Sequence, residues 1–159
     1  MRIRTVKKKD LYKITKLEKK IFQDQAFSKS LMKELLDQSL LFHKIEMKIL
    51  FTKLIGFIIL IKDMNDRANL INFAIKPKYQ GRGYGTLLLK NSLDWLRSNH
   101  SLIKKIILNV KTDNNRAIRL YEKFEFHIVK KIEKYYQNKE AAYLMELNLE
   151  SVKKYDLSL

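Results

Sequence analysis

Three of the four glycines in this chain fall within five positions, in Gln80-Gly81-Arg82-Gly83-Tyr84-Gly85-Thr86, just after the only proline, Pro77. Before them, Asn69 to Ile75 reads as a strand that Pro77 stops. After them, Leu88, Leu89, Leu93, Trp95 and Leu96 recur at helical spacing to about Asn99. A backbone without side chains can curl at such a junction until successive N–H groups share one concavity, at the positive end of the helix dipole. A diphosphate fits such a nest. The segment lacks the Gly-Lys-Ser/Thr ending of a P-loop. Its G-x-G-x-G spacing, with no acidic residue at the expected ribose position, does not make a dinucleotide fingerprint either. A glycine-rich turn without a ligand is the plain alternative, and the concentration of scarce glycine at one junction weighs against it.

The rest of the chain supplies a frame for that loop. Ile3–Val6 reads as a short strand. Asp10 then caps a helix carrying Leu11, Ile14, Leu17 and Ile21, and Ser28 caps a second with Leu31, Met32, Leu35 and Leu36 inward. Strands over Ile45–Phe51 and Leu54–Ile61 are expected to meet in a tight turn at Thr52-Lys53. Beyond the glycine loop and its helix come a strand at Lys104–Lys111, a helix at Asn115–Phe124, and strands at Phe126–Glu133 and Ala142–Leu149. The order β-α-α-β-β-β-α-β-α-β-β predicts one mixed α/β (α+β) domain over 1–150, with 151–159 as a C-terminal tail.

Composition removes several chemistries. Without cysteine there is no thiol nucleophile, disulfide or cysteine-ligated metal. His43, His100 and His127 show no ligand spacing, so no metal is expected. They read as two strand residues and a helix-end residue. The apolar run Leu54–Ile61 is too short for a bilayer, and Met1-Arg2-Ile3-Arg4 is unlike a secretory signal, so a cytoplasmic domain without a membrane partner is expected. Lys+Arg number 33 against 17 Asp+Glu, a net charge of +16, which favours anionic partners. The cations are 26 lysines to 7 arginines, and no stacking-aromatic motif accompanies them. That pattern suits a solvated surface better than a specific nucleic-acid site.

The spacing Gln80-x-x-Gly83-x-Gly85 after a strand resembles the acyl-CoA-binding signature of the GNAT N-acetyltransferase superfamily. Asn72 to Tyr79 is similar to that family's fourth strand and its approach to the phosphate loop. Asn114-Asn115-Arg116-Ala117-Ile118-Arg119-Leu120-Tyr121 is similar to its downstream N-x-x-A-I-x-L-Y motif. With the start (Ile3-Arg4, Asp10-Leu11) and the end (Lys134-Tyr135-Tyr136, Leu144 to Leu147), the chain resembles the RimI-like branch, the ribosomal-protein-alanine and related protein N-terminal acetyltransferases. The resemblance implies a mostly antiparallel sheet of about six or seven strands with about four helices packed on it. It implies acetyl-CoA as co-substrate, a protein N-terminus or other primary amine as acceptor, and leaves room for ribosome association. Cofactor contacts fall by resemblance on Phe73, Ala74 and Ile75, on Gly81, Arg82, Gly83, Tyr84, Gly85 and Thr86, and on Asn114. Of the nearby cations, Arg82 is expected at the phosphates, and Lys76, Lys78 and Arg116 on the solvated surface. By the resemblance Tyr135 and Tyr136 border the acceptor groove with the loop Phe22–Ser28; otherwise they stand at an exposed strand end.

Acetyl transfer to an amine needs a neutral nitrogen, a polarised carbonyl and a proton for the leaving thiolate. The resemblance makes Tyr121 the general acid; otherwise it is a packed core tyrosine. The lack of cysteine favours direct attack over an acyl-enzyme. Asn109 departs from the family pattern, which has a glutamate base at this strand position, because an amide takes no proton at neutral pH and can only orient a water. Either the base lies elsewhere or the substrate needs little help. An α-amine is roughly a tenth neutral at pH 7 and a lysine only about 0.04%, a difference of ~3 kcal/mol that favours an N-terminal α-amine. The competing readings are a small-molecule amine (polyamine or antibiotic) acetyltransferase, a non-catalytic acyl-CoA-binding module, and a basic RNA- or ribosome-docking domain. Glu125 stands where the family usually has glycine after the helix. A left-handed backbone there would cost about 1 kcal/mol, so a slightly different turn is expected.

Overall fold

Apolar periodicity in the first two helices decides which face of the sheet they cover. In the computed structural model, which describes residues 1–48 and 50–150, α1 (Leu11–Phe22) and α2 (Lys29–Gln38) turn Ile14, Leu17, Met32 and Leu35 onto one layer of core. That layer also takes Phe42 of β2 (Leu41–Lys48), Phe57 and Ile59 of β3 (Thr52–Lys62), and Ala74 of β4 (Arg67–Ile75). Successive strand residues face opposite sides, so Leu41, Ile45, Ile58 and Leu60 join the other layer. There they meet Leu88, Leu89, Leu93 and Leu96 of α3 (Tyr84–Asn99) and Ile118 and Tyr121 of α4 (Asn115–Lys123). Each aliphatic side chain wholly buried this way contributes ~1.5–3 kcal/mol relative to exposure.

With β1 (Arg2–Thr5), β5 (Lys105–Lys111), β6 (His127–Ile132) and β7 (Ala142–Asn148), the strands form one seven-stranded sheet in the order β1-β2-β3-β4-β5-β7-β6. Every neighbouring pair is antiparallel except β4 and β5. Parallel strands need a crossover, and α3 provides it. The expected fold class and element order are therefore met. Pairing of β4 with β5 runs only from Arg67↔Lys105 to Leu70↔Leu108, although both strands continue beyond it. On its other side β4 stays paired to β3 as far as Ile75, with a bulge where Ile59 faces Asn72 but Leu60 faces Leu70. The sheet is therefore open between β4 and β5 from Ile71 and Asn109 onward.

Three local expectations need correction. Thr52 and Lys53 do not form the turn between β2 and β3; they pair with Lys48 and Met47 as the start of β3. Residue 49, inside the strand expected at Ile45–Phe51, lies outside the described residues, as does the tail 151–159. Asp10 makes no side-chain cap on α1. It closes the preceding 3-10 turn, accepting from the Lys7 N–H at 2.9 Å, and pairs with Lys44 Nζ at 2.8 Å. Glu125 does adopt the left-handed backbone, with φ 65°. The Phe126 N–H reaches the Tyr121 carbonyl and the Glu125 N–H that of Glu122, the bond pair that ends a helix through a left-handed residue. Ser28 caps α2 as expected, accepting from the Leu31 N–H at 3.1 Å.

Candidate active site

A cleft of about 1360 Å³ occupies the opening between β4 and β5 and is lined from both faces of the sheet. On the α3/α4 face it meets the glycine loop. Pro77–Tyr79 forms a 3-10 turn, and Gly81 (φ 73°) and Gly83 (φ 78°) take left-handed conformations that bring the chain round to α3, with Gly83 as its N-cap. A side-chain carbon built on either glycine would meet no atom within 4 Å, so both backbones border open space. An open, glycine-lined turn of this kind at the head of a 16-residue helix has the room and the dipole that suit an anion. Gln80 braces it, donating from Nε2 to the Ile75 carbonyl at 2.9 Å and accepting from Arg116 Nη1 at 2.6 Å.

Phe73, Ala74, Ile75, Gly81, Gly83, Gly85, Thr86, Asn114, Asn109, Tyr121, Tyr135 and Tyr136 all line this one cleft, so the structure gathers nearly the whole expected set. The side chains of Arg82 and Tyr84 do not line it; Tyr84 packs edge-on against Tyr79, ring centroids 6.0 Å apart. Of the four cations considered for the phosphates, the one on the cleft wall is Arg116 rather than Arg82. Burial, with the charges of Lys78, Lys20 and Lys13, depresses the Lys76 amine below the usual lysine range. Cations crowd this strand end, a field that an anion would relieve. Asn114 Oδ1 accepts from the Ala117 N–H at 3.2 Å, so the predicted cofactor residue also caps α4.

Tyr121 lies between Phe73 and Phe126, with centroids at 6.3 and 5.7 Å. Burial, reinforced by the nearby Tyr136 phenol, holds its proton well above the usual phenol range. A thiolate formed in the same dry space has its own pKa raised by desolvation, which narrows the gap between donor and acceptor. On the opposite face, Tyr135 and Tyr136 stack edge to face at 4.9 Å. Burial, then Tyr135, Glu140 and Asp113, push Tyr136 up to about 12. Lys111 pairs with Glu140 and lies over the Tyr136 ring, 5.3 Å from its centroid. Across the opening, the loop Phe22 to Phe27 forms the other wall.

The sequence does not announce the carboxylate buried in this cleft. Glu18, on α1 and only 1% exposed, extends into the acceptor side. Its Oε1 accepts from the Phe27 N–H at 3.0 Å and from Asn72 Nδ2 at 2.9 Å, clasping the α1–α2 loop to β4. Burial raises its pKa, against the lowering effect of those two bonds. Among the described residues, no helix is long and apolar enough to cross a membrane, and no three His, Cys, Asp or Glu side chains gather as a metal site.

Residues 9–126 match the model of the acetyltransferase (GNAT) family. The chain is 35% identical over 79 residues to an N-alpha-acetyltransferase of Sulfolobus acidocaldarius, covering 50% of this chain and 46% of that protein. It is also 35% identical over 85 residues to the ribosomal protein bS18-alanine N-acetyltransferase of Salmonella typhimurium, covering 52% of this chain and 56% of that one. These alignments span about half the length of the curated relatives. The crystal structure of the ribosomal-protein-S18-alanine N-acetyltransferase from Escherichia coli superposes with a TM-score of 0.81 at 25% identity, over 99% of both chains.

Proposed function

The chain belongs to the acetyltransferase (GNAT) family, and on that premise we propose that it is an acetyl-CoA-dependent N-acetyltransferase whose acceptor is a protein N-terminal α-amine. The observation that carries this reading is the opening between β4 and β5. It joins a glycine-loop cradle on one face to an aromatic- and loop-walled groove on the other. The strand edge of β4 beyond Leu70, which β5 leaves unpaired, suits the amide-rich pantetheine arm, which can add like an extended strand. The thioester then sits at the opening, where an amine entering between Tyr135–Tyr136 and the Phe22–Phe27 loop attacks it directly, and Tyr121 protonates the departing sulfur. A walled groove suits the end of a peptide. The cations Lys111, Arg116, Arg119 and Lys123 on the cleft wall, against Glu18 and Asp24, disfavour a polyamine. The chemistry fits a protein at work in the cytoplasm, and ribosome association belongs with the branch it resembles.

The test pairs coenzyme A binding, by calorimetry, with turnover of acetyl-CoA on peptides of varied first residue, their N-terminally blocked counterparts, and spermidine. Micromolar coenzyme A binding and acetylation confined to free α-amines are expected. No coenzyme A binding at millimolar concentration overturns the reading. Preferred acetylation of spermidine moves it to a small-molecule enzyme, and binding without turnover on any amine makes the protein an acyl-CoA module.

A further inference from the structure

Three oxygen acceptors on the acceptor side of the cleft have no donor. Glu18 Oε2, Asn72 Oδ1 and Asn109 Oδ1 are each buried without a hydrogen-bond partner among the described residues. All three residues line the same cleft. They also share one sheet face: Asn72 meets Glu18 from α1, and Asn109 alternates with Leu108 and Val110, which point into the α3/α4 layer. Asn72 and Asn109 stand on β4 and β5 just past Leu70 and Leu108, the last paired residues, at the root of the opening. A buried acceptor without a donor costs free energy, and three facing one space imply a ligand rich in N–H groups. An ammonium brings three donors and no acceptor.

We propose that Glu18, with Asn72 and Asn109, forms the pocket that receives the acceptor amine, and that Glu18 is the base that takes its proton, in place of the carboxylate that β5 lacks at Asn109. The proposal rests on the acetyltransferase reading above. The ammonium gives one proton to Glu18 Oε2, directly or through one water, and becomes nucleophilic. Its nitrogen then forms the C–N bond as the C–S bond breaks. Sulfur takes the Tyr121 proton, the second nitrogen proton restores the phenol, and Glu18 releases its proton to solvent as the amide leaves. Burial supports the assignment by making the carboxylate more basic. The titratable groups that line the same cleft around it are Asp24 on the 3-10 turn after α1, Lys111 on β5, Arg116, Arg119, Tyr121 and Lys123 on α4, and Tyr135 and Tyr136 between β6 and β7; α2, β3 and β4 contribute none to the lining.

The deciding variant is Glu18→Gln, whose amide oxygen still accepts from Phe27 and Asn72 while the charge is gone. Wild type and variant are compared for thermal stability, coenzyme A affinity, binding of a free-amine and an N-blocked peptide to the coenzyme A complex, and the pH profile of kcat/KM. The expected result is thermal stability at neutral pH no lower than wild type and unchanged coenzyme A affinity, with kcat/KM lower by 10²–10⁴-fold. Affinity for the free-amine peptide alone should fall at least fivefold. The acid limb should come to follow the substrate amine only. Introducing Asn109→Glu into that variant should recover at least tenfold in kcat/KM. Turnover of Glu18→Gln within threefold of wild type overturns the proposal, as does a loss of coenzyme A binding in parallel with activity, which would make Glu18 a loop clasp. If wild type turns over no amine yet binds the free-amine peptide through Glu18, the pocket stands and the acetyltransferase reading falls. Should Glu18→Gln not fold, Asn72→Val decides, because losing the Asn72 bond raises the Glu18 pKa and must shift the wild-type acid limb to higher pH. An unmoved limb overturns the assignment.

Discussion

Glu125 and Gly83 both hold left-handed backbone, yet they call for opposite substitutions. Glu125 carries a Cβ where the end of α4 would accept none without strain, and it is exposed, so its side chain returns little by packing. Glu125→Gly is therefore expected to stabilise the protein by about 1 kcal/mol, a rise in Tm of roughly 2–4 °C for a chain of this size, with turnover unchanged. A calorimetric scan that shows no rise contradicts the strain argument. At Gly83, Gly83→Val adds strain of similar size and also projects methyl groups into the open space over the cradle. Its expected signature is a small loss of Tm with a coenzyme A affinity at least tenfold weaker. A variant that binds coenzyme A normally would mean that the diphosphate sits elsewhere. Tyr121→Phe separates a third role: it keeps both ring contacts, so it should lower kcat by 10²-fold or more while coenzyme A affinity and Tm hold.

Among the elements, the parts of the site built within one stretch of chain were legible in the sequence, and the parts built by pairing were not. The glycine loop, the Ser28 cap and the helix bearing Tyr121 each rest on neighbours a few residues apart, where turn and capping chemistry speaks locally. The β2–β3 turn was misplaced because Thr52 and Lys53 look turn-like alone and become strand only through Lys48 and Met47. Glu18 was invisible for the same reason. Between Lys16, Lys19 and Lys20 it reads as solvated helix surface, and the bonds that bury it come from residues 9 and 54 positions away. The remaining glycine, Gly56, is explained only by the pairing of β3 with β4: a Cβ there would lie 2.3 Å from the Ala74 carbonyl oxygen and 2.5 Å from Ile75 Cδ1. Gly56→Ala must push β3 off β4 just where β4 borders the cleft. Such overpacking typically costs about 1–3 kcal/mol, and here coenzyme A affinity should fall with stability, measurable by urea unfolding and calorimetry. Stability lost with affinity intact would show that the β4 edge does not hold the cofactor arm.

At the scale of the whole molecule, two buried titratable groups on opposite faces of the sheet set opposing acid responses. His43 of β2 lies edge-on to Trp95 of α3, centroids 5.3 Å apart, and is 4% exposed. Burial lowers its pKa from 6.5 to about 4. The folded form is thus favoured fully above pH 6.5, where the imidazole is neutral in both states, and loses ground as the pH falls, because the unfolded chain takes up the proton first. Integrated down to pH 4 the loss is about 3 kcal/mol, at ~1.36 kcal/mol per pH unit. Glu18 acts in reverse: its raised pKa means that the fold binds a proton more tightly than the unfolded chain, so acidification through that raised value relieves the cost of the buried charge. His43→Phe preserves the ring packed on Trp95 and removes the titration. Urea unfolding at pH 7 and pH 4.5 should find its stability nearly flat where wild type falls, the gap between the two proteins changing by about 2–3 kcal/mol. Glu18→Gln should steepen the decline instead, since the compensating proton uptake is lost. If both variants decline in parallel with wild type, acid sensitivity resides in part-buried ion pairs such as Lys44 with Asp10 and Glu46, and the two faces of the sheet do not divide it.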